Sequence, residues 1–483
     1  MIEKIKNNID FINETFHTKI NKDIITREFL TAGGIKCFIV FVDGMCSSQM
    51  INQFIVKPLM ENSDNNIDPF NVIEYHNCST STNIDDAVNK ILSGDTAIFV
   101  DNCDYYITCE TKGFDRRSVS NPLTESVIKG PHQGFTESIR SNLTLIRRIV
   151  KSPDLITEMI TIGEINNQTC AVMYIDKLTN KKFVSRIKKR LNNIKADYIS
   201  DSGMVTQLIE DNKNSIFPSI LSTERPDRVA QYLLAGRLAV ICDNSPYVLI
   251  LPIDIGVLFD SPEGNSQRWL SGSFERFLRA FSVILTTCLS AVYLSILNFH
   301  QDFMPSNFIN QILESRASIP FSPFIELLVM EIMFDLVREA GLRVPSTAGS
   351  AIGVVGGLIL GQAAIDANLV SPTTLIVVAI SGLANSVIPD YDISFTIRII
   401  RFSFIVVAQF FGISGVLCAI IFILIALSNT KSLGNNLLSE DFNNNYGNVI
   451  YQKPLWKQEM RLKILQSDRK VQQPKYSRKW DER

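Results

Sequence analysis

The chain has 483 residues, with 47 Lys and Arg against 49 Asp and Glu and a formal net charge of −2. Such a balance leaves no basic excess to neutralise phosphates, which excludes a dedicated nucleic-acid binder. With 46% hydrophobic and 20% charged residues, and a mean hydropathy of +0.13, the chain is too apolar to be wholly soluble.

In chain order, residues 1–28 are a polar N-terminal segment in which no apolar run follows MIEKIKNNIDFINETF, so no signal peptide is expected. Residues 36–43 (KCFIVFVD) predict a buried strand ending in Asp43, with a helix-like stretch at 46–61. Residues 168–176 (QTCAVMYID) and the basic stretch 180–192 repeat this arrangement. A longer repeat follows. Asp85–Thr108 aligns without a gap on Asp227–Ile250, placing Leu92 on Leu234, Gly94 on Gly236, Ala97 on Ala239, Asp101 on Asp243 and Tyr105 on Tyr247. Each copy reads as helix, Gly stop, strand, Asp-Asn turn and strand. The expected fold class is therefore multidomain. An N-terminal cytoplasmic α/β region of two related subdomains, 29–130 and 135–252, precedes an α-helical polytopic membrane domain, 265–430, and a polar basic cytoplasmic tail, 431–483. Residues 121–134, with Pro122, Gly130, Pro131 and Gly134, link the subdomains.

The aspartates Asp43, Asp101, Asp176 and Asp243 end strands, where open α/β sheets bind ligands and where turns also favour Asp. The nine cysteines fall singly, so reduced, mostly buried thiols are expected and no metal site. The common nucleotide, hydrolase and zincin motifs are missing, and the four histidines are scattered. No enzyme activity and no cofactor are expected.

Residues 280–299 are an uncharged, membrane-length run behind Arg268, Arg276 and Arg279. Further spans are expected at about 321–337, 349–367 and 372–389, and at 395–428 as one long span or two short ones around Gly412 and Gly415. The arginines before Ala280 and the basic tail put both termini on the cytoplasmic side, which requires an even number of crossings. Within 321–337 and just beyond, Glu331, Asp335 and Glu339 share a helix face at i, i+4 and i+8, with Glu326 nearly opposite. Carboxylates at membrane depth must line water or find counter-charges, here Arg338, Arg343, Arg398 or Arg401. Both readings stand at this point. Gly349, Gly353, Gly357 and Gly361 form a helix-packing stripe, used within one bundle or between copies of the chain. Val355, Ile359 and Gln362 lie roughly opposite and are the candidate pore and gate residues.

Three stretches carry a resemblance: RRSVSNPLTESVIKGPHQGFTESIRSNLTLIRRIV (116–150), STERPDRVAQYLLAGRLAVICDNSPYVLILP (222–252) and IPFSPFIELLVMEIMFDLVREAGLRVPSTAGSAIGVVGGLILGQAAIDANLVSP (319–372). From about residue 29 to 435 the chain resembles the A subunits of GerA-type spore germinant receptors. The resemblance implies a nutrient-responsive subunit in the inner membrane of a bacterial spore, in contact with membrane lipid. It implies a homo-oligomeric ring acting as a ligand-gated ion channel, beside a transporter-like B subunit that holds most of the nutrient and a C-subunit lipoprotein. The Asn- and Lys-rich stretch after about Asn435 matches no family motif. A secondary transporter and a non-conducting sensing scaffold are the alternative functions.

Overall fold

The computed structural model of the chain describes residues 2–64, 66–101, 103–113, 129–343 and 359–438 without interruption. It also describes residues 121–122, 124–125, 127, 356–357, 451–457, 461, 465, 467, 469 and 471. The N-terminal half builds two five-stranded sheets. The first contains β1 (Ile24–Leu30), β2 (Lys36–Val42), β3 (Cys78–Ser81), β4 (Thr96–Val100) and β5 (Tyr106–Cys109), in the order β1-β2-β4-β5-β3. The second contains β6 (Leu155–Ile162), β7 (Gln168–Ile175), β8 (Leu221–Thr223), β9 (Leu238–Cys242) and β10 (Val248–Leu251), in the order β6-β7-β9-β10-β8. Every neighbouring pair is antiparallel. The two orders are the same topology, and the gapless repeat lays β4 on β9 and β5 on β10 residue for residue.

Helices α1 (Ile2–Thr15), α2 (Ile84–Leu92), α3 (Ile139–Ile149), α4 (Lys181–Asn192) and α5 (Pro226–Ala235) cover these sheets. Both α2 and α5 lead into a strand through a glycine in the left-handed region, Gly94 at φ +92° and Gly236 at φ +102°. Only glycine enters that region without a steric cost. Alternation along the strands gives each sheet two buried faces. In the first sheet Phe38, Val40 and Phe99 meet α1 and α2, while Cys37, Ile39 and Ile98 meet Ile51, Ile55 and Leu59.

Two features depart from the sequence reading. The first subdomain starts before residue 29, since Ile5, Ile9, Ile12 and Phe16 of and just beyond α1 are buried in its core and β1 begins at Ile24. Cys78 and Cys109 are directly opposed on β3 and β5 and form a disulfide. Thirty-one residues separate them, and only the fold makes their strands neighbours.

The C-terminal half is helical. It contains α6 (Trp269–Phe299), α7 (Ser306–Arg316), α8 (Pro323–Arg343), a helical stretch at 359–366, α9 (Pro372–Ser386) and α10 (Tyr391–Asn429). By length and composition, α6 and α10 can cross a membrane. The 39 residues of α10 are broken at Gly412, at φ +59° and ψ −148°. A straight helix of that length would extend about 58 Å. Its ends instead meet adjacent residues: the Thr396 hydroxyl donates to the Ile216 carbonyl at 2.7 Å, and the Thr430 hydroxyl lies 3.2 Å from that of Ser215. The helix is therefore a hairpin, and its tip at Gly412 rests on Phe299 and His300 beyond the far end of α6.

Candidate functional site

The sequence of α8 puts Glu331 and Asp335 one turn apart on one face. The first limb of the α10 hairpin brings Arg401 between them. Its guanidinium lies 3.0 Å from Glu331 Oε2 and 3.2 Å from Asp335 Oδ2, and donates to Ser381 Oγ of α9 at 3.2 Å. Ser290 of α6 completes the group by donating to Glu331 Oε1 at 2.7 Å. Glu331 and Arg401 are wholly buried. Ser290 lies roughly 16 Å along α6 from Arg279 and roughly 14 Å from Phe299, so the cluster sits near the middle of a membrane-length helix. Charges withdrawn from water cost several kcal/mol each unless they are paired and hydrogen-bonded. One arginine here lies against two carboxylates, and together with Ser290 the cluster joins four helices. Thr286 and Ser381 add reciprocal hydroxyl-to-carbonyl bonds at 3.4 Å between α6 and α9. Gly382 permits the close approach of α9 to α8, because a Cβ there would overlap the Phe334 ring.

A second buried pair lies toward the far end of the bundle. Arg316 of α7 is 2.6 Å from Glu326 Oε2. Glu326 Oε1 accepts from the Ser371 amide at 2.7 Å and its hydroxyl at 2.8 Å, at the start of α9. The third member of the acidic stripe, Glu339, is half-buried one turn beyond Asp335. The sequence reading passed over the partners on α6. Ser282, Thr286 and Ser290, all buried, recur every fourth residue of that apolar helix, and this polar stripe is a legible sign of a facing polar group.

The predicted glycine stripe is seen only in part. Gly349, Gly353 and Val355 lie outside the described residues. Gly361 packs within the chain, where a Cβ would come 3.1 Å from Leu375, whereas among the described residues Gly357 has nothing within 4 Å. Ile359 and Gln362 are exposed, and the Gln362 amide donates to Asp366 at 3.0 Å.

Buried arginines also hold the N-terminal half to itself and to the helices. Arg147 of α3 makes a two-pronged pair with Asp23, at 2.7 and 2.8 Å, joining the first subdomain to the second. Residues 121–134, expected as a linker, are docked on the second subdomain. There Arg225 donates to the Glu125 and Pro131 carbonyls at 3.1 and 2.9 Å, and Arg228 pairs with the Glu125 carboxylate. After the α10 hairpin the chain re-enters the second subdomain, where Leu433 is buried in the core under α4 and Arg186 donates to its carbonyl at 2.9 Å. Farther on, Gln452 donates to the Gly264 carbonyl at 2.5 Å, and Tyr451 packs edge-on against Trp269 at 5.9 Å. The tail segment thus straps the start of α6. Of the strand-end aspartates, Asp43 pairs with Arg140 across the two subdomains, Asp176 pairs with Lys181, and Asp243 accepts from the Ile139 amide at 3.0 Å. Among the described residues no group of His, Cys, Asp and Glu is placed to hold a metal ion.

Comparison with known proteins places this arrangement. The family model described as "Bacillus/Clostridium GerA spore germination protein" matches residues 10–464. The chain is 35% identical to spore germination protein A1 of Bacillus subtilis (strain 168), over 87% of this chain and 88% of that protein. It is 35% identical to spore germination protein GerLA of Bacillus cereus, over 85% of each. Spore germination protein KA of Bacillus subtilis (strain 168) is 32% identical over 95% of this chain and 86% of that protein. The crystal structure of the N-terminal domain of the A subunit of the Bacillus megaterium spore germinant receptor GerK3 is 33% identical, with a TM-score of 0.40 over 50% of this chain and 92% of that one. The chain belongs to the GerA family of spore germination proteins.

Proposed function

We propose that this chain is the membrane subunit of a spore germinant receptor, and that copies of it assemble into a ring that conducts ions when nutrient is sensed. The observation that carries the reading is the buried Arg401 cluster. It gives the helical bundle a bonded arrangement that can be broken in one step, with charges ready to meet water and ions once the helices part. The open space beside Gly357 and the exposed Ile359 and Gln362 supply a face for a neighbouring copy or a pore lining. In this reading the two α/β subdomains and both termini lie in the cytoplasm and the bundle in the inner spore membrane. A transporter-like B subunit holds the nutrient, and a lipoprotein C subunit accompanies it. The direct insertion of Leu433 into the second subdomain gives the route by which a change in that domain reaches the hairpin.

Electrical recording of the purified protein in planar bilayers tests this. Gated ohmic current is the expected result. Flux that saturates and couples to a solute would make the protein a transporter, and silence would make it a scaffold. If Ile359 lines the constriction, Ile359→Ser favours the open state by hydrating an apolar ring. Spores carrying it then lose ions before nutrient is added. Gly357→Leu wedges the packing face and abolishes assembly, read as a loss of oligomer on size-exclusion chromatography.

A further inference from the structure

Between the two subdomains lies an open cavity of about 250 Å³, with the Asp43–Arg140 pair at its rim. One wall is the turn after β2, with Ser47 and Ser48, and the other is α3. Arg140, Thr144 and Arg148 recur every fourth residue of α3 and face the cavity together with Ser141. Two glycines allow the close packing here, Gly44 of the turn against α3 and Gly113 against the turn itself. A Cβ at Gly44, at φ +77°, would overlap Thr144 Oγ1, and one at Gly113 would come 2.6 Å from Ser47 Cβ. Among the described residues the lining carries two guanidinium groups and four hydroxyls and no carboxylate, and the Thr144 hydroxyl already donates to the Arg140 carbonyl at 2.9 Å. Asp43, the residue before Gly44, holds Arg140 at the rim.

This donor set suits a tetrahedral oxyanion, which accepts charge-assisted bonds from arginine and further bonds from hydroxyls. The volume lies below the roughly 300–1,000 Å³ of sites for drug-sized ligands, so the ligand is small. We propose that the cavity binds the phosphate group of a small ligand, free phosphate or a phosphomonoester, and that binding draws Arg140 away from Asp43. Occupancy would then exchange a direct contact between the subdomains for one that runs through the ligand. The site would report on phosphate or a phosphorylated metabolite independently of any nutrient held elsewhere.

Isothermal titration of the full-length protein in detergent, with inorganic phosphate and separately with glycerol 3-phosphate, tests the proposal. Saturable binding of at least one is expected. Tighter binding of the ester identifies a phosphomonoester as the ligand, and equal or tighter binding of inorganic phosphate identifies the free anion. Arg148→Gln should weaken binding by roughly tenfold or more. Asp43→Asn should tighten it about threefold or more by releasing Arg140, a gain that misfolding cannot produce. Three results would overturn the proposal: no saturable binding at about 10 mM of either compound, binding unchanged in Arg148→Gln, or weaker binding in Asp43→Asn.

Discussion

The two sheets of the N-terminal half share a topology but not a way of closing. In the first subdomain both faces of the sheet are sealed by its own helices. In the second, one face is sealed by α4 together with Leu433, contributed by the chain that returns from the α10 hairpin. The other face continues through α3 and α5 into Leu294 and Leu297 of α6 and Phe404 of α10, as one unbroken apolar core. A matching ion pair shows how far the copies have diverged. Extended a few residues, the repeat lays Asp95 on Arg237 and Lys112 on Asp254. Asp95 and Lys112 pair at 3.3 Å, and Arg237 pairs with Asp254 in the other copy. The same bridge is built with its charges exchanged, so the fold requires the pairing and not the sign at either end. The second copy is the one built into the C-terminal helical bundle, and the first reaches the bundle through it, by the Arg147–Asp23 joint.

The sharpest way to break this equivalence is Asp254→Ala. Arg237 is 2% exposed and would be left without its carboxylate, a loss on the order of 3–5 kcal/mol. Because Asp254 adjoins Ile253, whose amide donates to Ser432 at 2.9 Å, the damage should reach the hairpin as well as the sheet. Calorimetry of the purified protein should show the second subdomain and the helical bundle melting earlier together. Separate melting would show that the apolar continuity does not couple them.

Leu433→Ala sharpens the comparison at one side chain. It leaves the Arg186 bond to the Leu433 backbone in place and removes a fully buried side chain, at a cost of about 2 kcal/mol, the lower end for such cavities. Since among the described residues no returning chain enters the core of the first subdomain, only the second should lose stability. Hydrogen exchange in β7 and β9 should accelerate while that in β2 and β4 stays unchanged. Equal acceleration in both sheets would refute the asymmetry.

The parts of this architecture that were legible in the sequence are those with local periodicity. The strand cores of β2, β4, β7 and β9 are short apolar runs, and Gly94 and Gly236 mark where helices must stop. Edge strands were illegible for a physical reason: β3 is Cys-Ser-Thr-Ser and β8 is Leu-Ser-Thr, without the apolar alternation of a buried strand. Helix α1 carried its signal in Ile5, Ile9 and Ile12 at helical spacing, diluted by the four intervening polar residues Lys6, Asn7, Asn8 and Asp10, of the kind a solvated segment also shows. Glu331 and Asp335 announced that something must face them, and four arginines were eligible. Selecting Arg401 needed the path of α10, which depends on how Gly412 bends it and on where residues 396 and 430 land. The Arg147–Asp23 and Arg228–Glu125 pairs span more than a hundred positions, and no spacing rule reaches that far.

The smallest effect is expected from Lys112→Ala, which removes the exchanged ion pair together with a second, exposed pair to Glu110 at 2.8 Å. Lys112 is about a third exposed, so water already screens the bridge and its removal should cost about 1 kcal/mol at neutral pH, well below the loss from Asp254→Ala. The pH dependence gives the test its sign. Burial raises the Asp95 carboxyl above its ordinary value of 3.8, and Lys112 pulls it partly back. A raised carboxyl means that the folded state holds its proton more tightly than the unfolded chain does. Stability from this group is therefore retained below about 3.8 and falls as pH rises through the raised folded value. Without Lys112 that value climbs further and the fall becomes deeper. The difference in melting temperature between Lys112→Ala and the parent should vanish near the acid end and grow on going to neutral pH. A difference that stays constant with pH would mean that Lys112 acts through its packing on Gly94 and not through its charge.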